Sequence, residues 1–439
     1  MNAKKILALA KEVGLEDVSV QETLSTSISV SLFERVLDSY EYNDVHTLLI
    51  KGVYNNRFGV VALNKFDEAS VLEALKEAKL SASKIEREEE AIIFSGSPKY
   101  KRRNVFNKQL DETPLEAKIN LIRQIEDKLS SDPRIESVNG VSYSEEKGGN
   151  SLFNSKGLNL KSQSNYFVIM SDVSARGGDG VLKTAYALEF GNDLNTFDID
   201  IYVKKVIDEV VRKLDAKPIK TKKYPTILNP KVTATFLKVL TSWLSAEKVQ
   251  KHSSLLEGKL GEMVISKKLT ILEDPHANNV FFTSYDDEGV ATKKKVLFDK
   301  GVLKTYLYNL ETAKKDGVES TGNGFGSGKI GIGTRFLTIK PSRKNEEELI
   351  SSIKEGVYIT EVKGLHSGLD ATSGDFSLES EGFLIKDGKL ASPISSIALS
   401  GNVLDLFHNV TAIANNLKLN LNATATPSIK VKAVQVSGE

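Results

Sequence analysis

Nowhere in its 439 residues does the chain carry a cysteine. No disulfide can staple a loop, no thiolate can attack a substrate, and neither zinc nor an iron–sulfur cluster can be held by sulfur. Whatever fold forms must therefore rest on a buried apolar core. The chain is long enough to build one, and at roughly 150 residues per domain it predicts two or three domains. A composition of 40% hydrophobic and 27% charged residues describes a globular protein rather than a disordered one. Lysine and arginine nearly balance aspartate and glutamate, 59 against 58. That argues against nucleic acid as a partner, because a large nucleic-acid-binding face would show as a basic excess. A cysteine-free chain fits a reducing compartment. The apolar run at 6–10 is too short for a secretory signal, and no stretch approaches the ~20 apolar residues of a membrane span. The expectation is a cytoplasmic protein with no membrane partner.

Periodicity organises the first half. Stretches 17–22 and 27–31 alternate as strands, and 47–53 should pair with 58–63 across Tyr54-Asn55-Asn56-Arg57. A helix follows with Val71, Leu72, Leu75 and Ala78 on one stripe and Asp67 as N-cap. Opposed charges then succeed one another, Glu86-Arg87-Glu88-Glu89-Glu90 before Pro98-Lys99-Tyr100-Lys101-Arg102-Arg103. They read as an exposed connector; a nucleic-acid site on the basic half is the weaker reading, because the acidic run lies beside it. Thr113 as N-cap, Pro114 at the first helical position and Glu116 closing a capping box introduce a helix with the stripe Leu115, Ile119, Ile122, Ile125 and Leu129. Strands are expected at 135–144, 152–160, 166–170 and 182–190, and then a helix with Val203, Val206, Ile207, Val210, Val211 and Leu214 on one face. A hairpin followed by an amphipathic helix thus occurs twice, near 47–82 and 166–214.

Lys217-Pro218-Ile219-Lys220-Thr221-Lys222-Lys223-Tyr224-Pro225 combines two prolines with four lysines and reads as a solvated linker. It divides the chain into 1–215, with possible sub-parts 1–85 and 110–215, and 224–439. Beyond it, Pro230 opens a buried helix carrying Val232, Phe236, Val239, Leu240, Trp243 and Leu244. From about 261 onward the pattern is β with tight turns, at Asp299-Lys300-Gly301 and as a type I′ hairpin at Asp387-Gly388. The fold class is α+β: an antiparallel sheet with helices in the N-terminal half, and a β-rich C-terminal half curled into a sandwich or barrel to hide its edges.

Local motifs advertise little chemistry. None of His46, His252, His276, His366 and His408 stands in His-Glu-x-x-His, and no two fall within one helical turn, so no zinc hydrolase site is announced. Gly326-Ser327-Gly328-Lys329-Ile330-Gly331 has the letters of a dinucleotide fingerprint. However, 334–339 after it alternates like a strand where the motif needs a helix, and Ile330 stands where a P-loop needs Ser or Thr. What remains is a mobile glycine loop that can border a cleft. Asp286-Asp287-Glu288 and the pair Glu379/Glu381 read as an exposed turn and an exposed strand face.

Longer blocks carry a resemblance. Ser253 to Glu262, Ile271-Leu272-Glu273-Asp274-Pro275, Phe281 to Val290, Gly301-Val302-Leu303-Lys304, Ser320-Thr321-Gly322-Asn323, Thr372 to Ser377, Glu381 to Ile385 and Ser400 to Leu406 resemble, in order, the TldD/PmbA family. The likeness is specific across 250–416 and diffuse before it. In that family TldD-type chains carry His-Glu-x-x-x-His on a helix early in the C-terminal domain, with a later cysteine completing a zinc site. TldE-type chains, also called PmbA and once described as modulators of DNA gyrase, lack the motif. Here the corresponding helix reads Thr233 to Leu244, with no His and no Glu, so the resemblance is to the TldE/PmbA branch. It implies a catalytically silent subunit of a heteromeric zinc peptidase acting on unfolded peptides or peptide leaders. No cofactor or metal is expected in this chain, zinc is expected in a TldD-type partner, and an extended peptide would be seated by strand addition. Candidate cleft or partner-facing residues are Asn323, Gly324, His366, Gly374, Asp375, Phe376 and Asn402. The competing reading makes Thr372–Ser377 a structural turn, with Asp375 accepting backbone amides and Phe376 anchoring it. Two other functions stay open: a non-proteolytic regulator of a target such as gyrase, and a hydrolase built from scattered histidines and acids.

Overall fold

In a computed structural model, which describes residues 2–86 and 90–439, each hairpin-plus-helix stretch turns out to be part of a larger unit. The first unit runs α1 (Ala3–Val13), β1 (Asp17–Phe33), β2 (Val36–Tyr54), β3 (Arg57–Leu63) and α2 (Glu68–Ser83). After α3 (Lys108–Glu112), the second runs α4 (Leu115–Ser130), β4 (Ser137–Asn154), β5 (Asn159–Arg176), β6 (Leu182–Gly191) and α5 (Ile199–Val211). Their strands form one antiparallel sheet in the order β3-β2-β1-β4-β5-β6. Order and direction are unchanged by a half-turn about the β1–β4 seam. The sheet is thus two α-β-β-β-α repeats joined edge to edge.

Strand length is where alternation misleads. Stretches 17–22 and 27–31 belong to one 17-residue strand, and the three strands expected between 135 and 170 are parts of two strands of 18 residues each, β4 and β5. Val18 and Val20 pack under α1 and α2, while Val30 and Leu32 pack under α4 and α5. Between the two helix layers the strand needs no apolar residues, so the period vanishes while the ladder continues. Asp67 caps α2 as expected, accepting from Ser70 N at 2.9 Å. The capping box at Thr113 does not form. Thr113 ends α3 instead, its hydroxyl donating to Gln109 O at 2.7 Å, and Pro114 stands at the N-cap of α4, with no side-chain cap. Of the charged connector, Arg87–Glu89 lie outside the described residues. Downstream it is not simply exposed: Ile93 is buried and Tyr100 donates to Gly289 O at 2.8 Å.

The C-terminal half opens with β7 (Lys222–Leu228), α6 (Pro230–Ser242), α7 (Ala246–Gln250), β8 (Ile271–Glu273), β9 (Lys295–Asp299) and β10 (Val302–Leu303). It continues with α8 (Leu310–Asp316), β11 (Gly324–Phe325), β12 (Gly331–Ile332), β13 (Leu337–Ile339), α9 (Glu346–Ser351), β14 (Glu355–Lys363), α10 (Leu365–Gly368), β15 (Asp375–Lys386) and β16 (Lys389–Asn402). α11 (Val403–His408), β17 (Val410–Ile413), β18 (Lys418–Asn420), β19 (Thr424–Thr426) and β20 (Ile429–Ser437) complete it. One sheet runs β10-β9-β8-β13-β19-β18. The other runs β16-β15-β14-β7-β20-β17, and β16 also pairs with β20. That extra ladder, Ala398–Ser400 against Gln435–Ser437, closes β16, β15, β14, β7 and β20 into a five-stranded barrel. For these five strands the edge problem expected from the sequence is solved by closure, while the other sheet stays open at β10 and β18.

Closure corrects the linker reading of 217–225 from Lys222 onward. Lys222 to Leu228 is a barrel stave, parallel to β14 and antiparallel to β20. Its proline is absorbed by an irregularity: register shifts between Val431 and Val434, opposite Pro225, as a strand proline without a donor requires. Lys222 and Lys223 stay exposed at the start of the stave, and Tyr224 after them is buried. Both expected hairpins form, Asp299 pairing with Val302 and Lys386 with Lys389. Asp387 and Gly388 take φ 47° and 74°, the pair of positive values that a type I′ turn demands. Of the strand expected at 334–339 only Leu337–Ile339 forms. α6 lies within the core shared by both sheets, with Phe236, Leu237, Leu240 and Trp243 fully buried. Among the described residues no helix is long and apolar enough to cross a membrane.

Candidate functional site

Strand β8 delivers a carboxylate into the core. Alternation along Ile271-Leu272-Glu273 turns Glu273 inward with no exposed surface, and it is fully committed there. Lys295 pairs with it, Asn323 Nδ2 donates to both oxygens at 2.9 and 3.1 Å, and Arg335 N donates at 2.6 Å. Asn323 also accepts from Lys295 Nζ at 2.9 Å and donates to Gly333 O at 2.9 Å, so it ties the β11–β12 glycine hairpin to β8. Burial pulls the Lys295 pKa down while Glu273 opposes the shift.

Beside this network the acidic turn is not the exposed feature expected of it. Asp286 is buried, accepting from Gly324 N at 2.8 Å, Val290 N at 2.9 Å and Glu288 N at 3.0 Å. Burial outweighs those donors and raises its pKa to about 6. Burial and the neighbouring Asp286 push Glu288 to about 8, against the Leu310 N–H and Lys51. Gly324 is required at this contact, because a Cβ there would stand 2.7 Å from Glu288 Oε2. Glu288 and Lys51 share the wall of a cavity of about 330 Å3 with Phe58, Ile92, Leu310 and Ile330, where the β2–β3 hairpin meets the C-terminal half.

The second group of sequence candidates is a turn. Gly374 takes φ +78°, and a Cβ there would meet the Trp243 ring at 3.0 Å. Phe376 is buried 4.8 Å from Phe236, ring centroid to centroid. Asp375 is exposed and does not gather backbone amides. That role falls to Asp370, which accepts from Thr372 N at 2.7 Å and Ser373 N at 3.3 Å. Asp375 accepts from Asn402 Nδ2 at 2.9 Å, and Asn402 caps α11 by accepting from Leu404 N at 3.0 Å. His366 is exposed on the short α10.

These two groups do not share a cleft. Phe236 and Trp243 of α6 meet the Asp375 turn, whereas Lys238, about 200° round the helix from Phe236, donates to Thr334 Oγ1 at 2.9 Å beside the glycine hairpin. The helix separates them. Sequence reasoning missed Lys238, Glu273, Asp286, Glu288 and Lys295. The available signal was a glutamate at an inward position of an apolar strand, inside one of the resemblance blocks. A larger groove lies elsewhere, about 660 Å3 between the first half of β5, residues 100–105 and the 282–287 loop, with Asp286, Asp287 and Arg335 at its edge.

Comparison with known proteins decides the family. The profile of the PmbA/TldA metallopeptidase C-terminal domain matches residues 221–438, and that of the central domain matches 108–216. The chain belongs to the PmbA/TldD family. A metalloprotease of Methanocaldococcus jannaschii is 28% identical over 437 residues, covering 96% of this chain and 94% of its own. Among solved structures, a candidate DNA-gyrase modulator from Thermotoga maritima superposes with a TM-score of 0.92 at 29% identity over 99% of both chains. TldE of Thermococcus kodakarensis shares the fold, with a TM-score of 0.89 at 23% identity over 99% of both chains.

Membership in a metallopeptidase family raises the question of zinc, and the donor set here does not fit it. The partly exposed positions of α6 are Thr235, Lys238, Val239 and Ser242, without one nitrogen or carboxylate ligand. Lys238 places an ammonium there, and burial lowers its pKa against the pull of Glu273. Glu273 itself is saturated. Among the described residues no three His, Cys, Asp or Glu side chains are grouped to hold a metal ion.

Proposed function

We propose that this chain is the TldE/PmbA-type subunit of a heteromeric zinc peptidase, seating unfolded peptide beside a chain that carries His-Glu-x-x-x-His. The observation that carries this reading is the surface of α6. Where a hydrolytic centre needs ligands, this helix offers Thr235, Lys238, Val239 and Ser242, and a cationic side chain opposes metal binding there. Hydrolysis is then the partner's task, and this chain's share is to hold the substrate. A barrel with a covered core and a long antiparallel sheet suits that share, because sheet edges bind extended backbone with little regard to side chains.

The test uses this chain, a His-Glu-x-x-x-His chain from the same cells, and their mixture. Each is assayed for unfolded-peptide cleavage, zinc content and elution on gel filtration. The expected result is cleavage by the mixture, zinc in the partner alone, and co-elution at equal stoichiometry. Stoichiometric zinc and cleavage in this chain by itself would overturn the reading.

A further inference from the structure

The two sheet repeats differ in what lies against their free edges. β3 pairs with β2 only over Leu48–Tyr54, and β6 pairs with β5 only over Phe167–Arg176. Each repeat therefore leaves the first part of its middle strand without a strand on one side: Val36–Thr47 in β2 and, before the stretch met by Val105 and Asn107, Asn159–Gln163 in β5. The β2 stretch is open to solvent. The β5 stretch forms one wall of the 660 Å3 groove, facing Tyr100–Arg103 and Phe282–Asp287. Its ladder is already begun, since Val105 makes a single parallel bridge to Ser164. The groove thus runs along an unpaired stretch of strand edge.

Its charge is one-sided. Lys101, Arg102, Arg103 and Lys161 are exposed along it, and among the described residues none has a carboxylate within ion-pair distance. The acids present are spoken for: Asp286 is buried under three amides, and Asp287 accepts from Gly326 N at 2.8 Å with Arg335 3.5 Å away. Of the connector's acids, Glu90 turns away from the basic half and pairs with Lys314 on the far side of the junction. Tyr100, Leu160, Phe282 and Tyr285 add apolar surface between the charges.

We infer that this groove binds an extended acidic peptide segment as an added strand on β5, with its backbone on Asn159–Gln163 and its carboxylates toward Arg102 and Lys161. Five to six residues span about 16–20 Å at the rise of a strand, the scale of the open edge. Peptide is favoured over single-stranded nucleic acid because the wall is a row of backbone donors and acceptors. The inference rests on the reading that this chain seats peptide, and binding to the isolated chain is measured separately from cleavage by the pair.

A fluorescent ten-residue peptide alternating Glu with Thr and Val is titrated onto the full chain at low salt. Its controls are a Lys-for-Glu version, a version N-methylated at alternate amides, and an oligothymidylate. The expected result is binding of the acidic peptide, weakened about tenfold or more by N-methylation, by the Lys version, and by the double variant Arg102→Glu/Lys161→Glu. Hydrogen exchange at 159–163 should slow on binding. Equal binding of the N-methylated peptide, unaltered exchange at β5, or tighter binding of the oligothymidylate would each overturn the inference. If the groove fails while the subunit pair cleaves, only this inference falls; if the groove binds and the pair does not cleave, only the proposed function falls.

Discussion

Asp375 is exposed and accepts one side-chain hydrogen bond, from Asn402, so Asp375→Ala should lower stability by no more than about 1 kcal/mol. Glu273 is the opposite case. Glu273→Ala would leave the Lys295 ammonium buried with only Asn323 for company, and breaking a buried pair from one side costs about 3–5 kcal/mol. Urea unfolding of both variants checks the contrast; equal losses would contradict the burial argument. Glu288 adds a pH dependence. Its folded value near 8 lies above the ordinary 4.5, so the folded state holds a proton that the unfolded state has released. Stability should therefore fall as pH rises from about 4.5 to 8, and Glu288→Gln should flatten that fall. A tenfold change in acid strength is worth about 1.4 kcal/mol, so the variant should gain at least that at pH 9. Melting curves at pH 5 and 9 supply the comparison. The sequence pointed to Asp375 because Thr372–Ser377 is a distinctive string. It did not point to Glu273 or Glu288, because burial of a carboxylate depends on partners such as Lys295 and Leu310 that lie far away along the chain.

At the scale of elements, legibility followed range. The Asp387-Gly388 turn and the Asp67 cap were readable because their chemistry is complete within four residues. The lysine-proline stretch was misread because its partners, β14 and β20, lie more than a hundred residues downstream. Only the closed ladder turns it into a stave. That correction has a test in limited trypsin digestion. In the intact protein Lys222 and Lys223 should resist cleavage, as both are laddered to Gln435 and Val436. Deleting 433–439 removes that ladder and the β16–β20 closure, and the same two lysines should then become early cut sites, identified by mass spectrometry. Early cutting there in the intact chain would restore the linker.

Across the whole molecule, Lys213 after α5 reaches the barrel, pairing with Glu361 at 2.8 Å and Glu381 at 3.1 Å. Burial works against ionising both carboxylates, yet the surrounding lysines outweigh it and hold both below the ordinary 4.5. Carboxylates depressed in this way contribute stability above about 4.5 that is lost as pH falls further, while the raised Lys213 loses its proton only beyond its ordinary 10.5. The junction should therefore hold at neutral pH and loosen in acid. Calorimetry should show one transition at pH 7 and two near pH 3, and Lys213→Ala should split the transition already at pH 7. The two halves were legible as an α+β sheet layer and a β-rich layer. Their contact was not, since Lys213, Glu361 and Glu381 are unremarkable residues in sequence. The barrel also sets a timetable for synthesis. β7 leaves the ribosome about 200 residues before β20, its antiparallel neighbour. At typical elongation rates that is roughly 10–40 s during which one side of a stave waits unpaired. The N-terminal sheet, whose repeats pair mostly with near neighbours, can fold in that interval. The nascent chain should thus pass through a stage with a finished sheet and an unclosed barrel, the stage at which a chaperone would find most to hold.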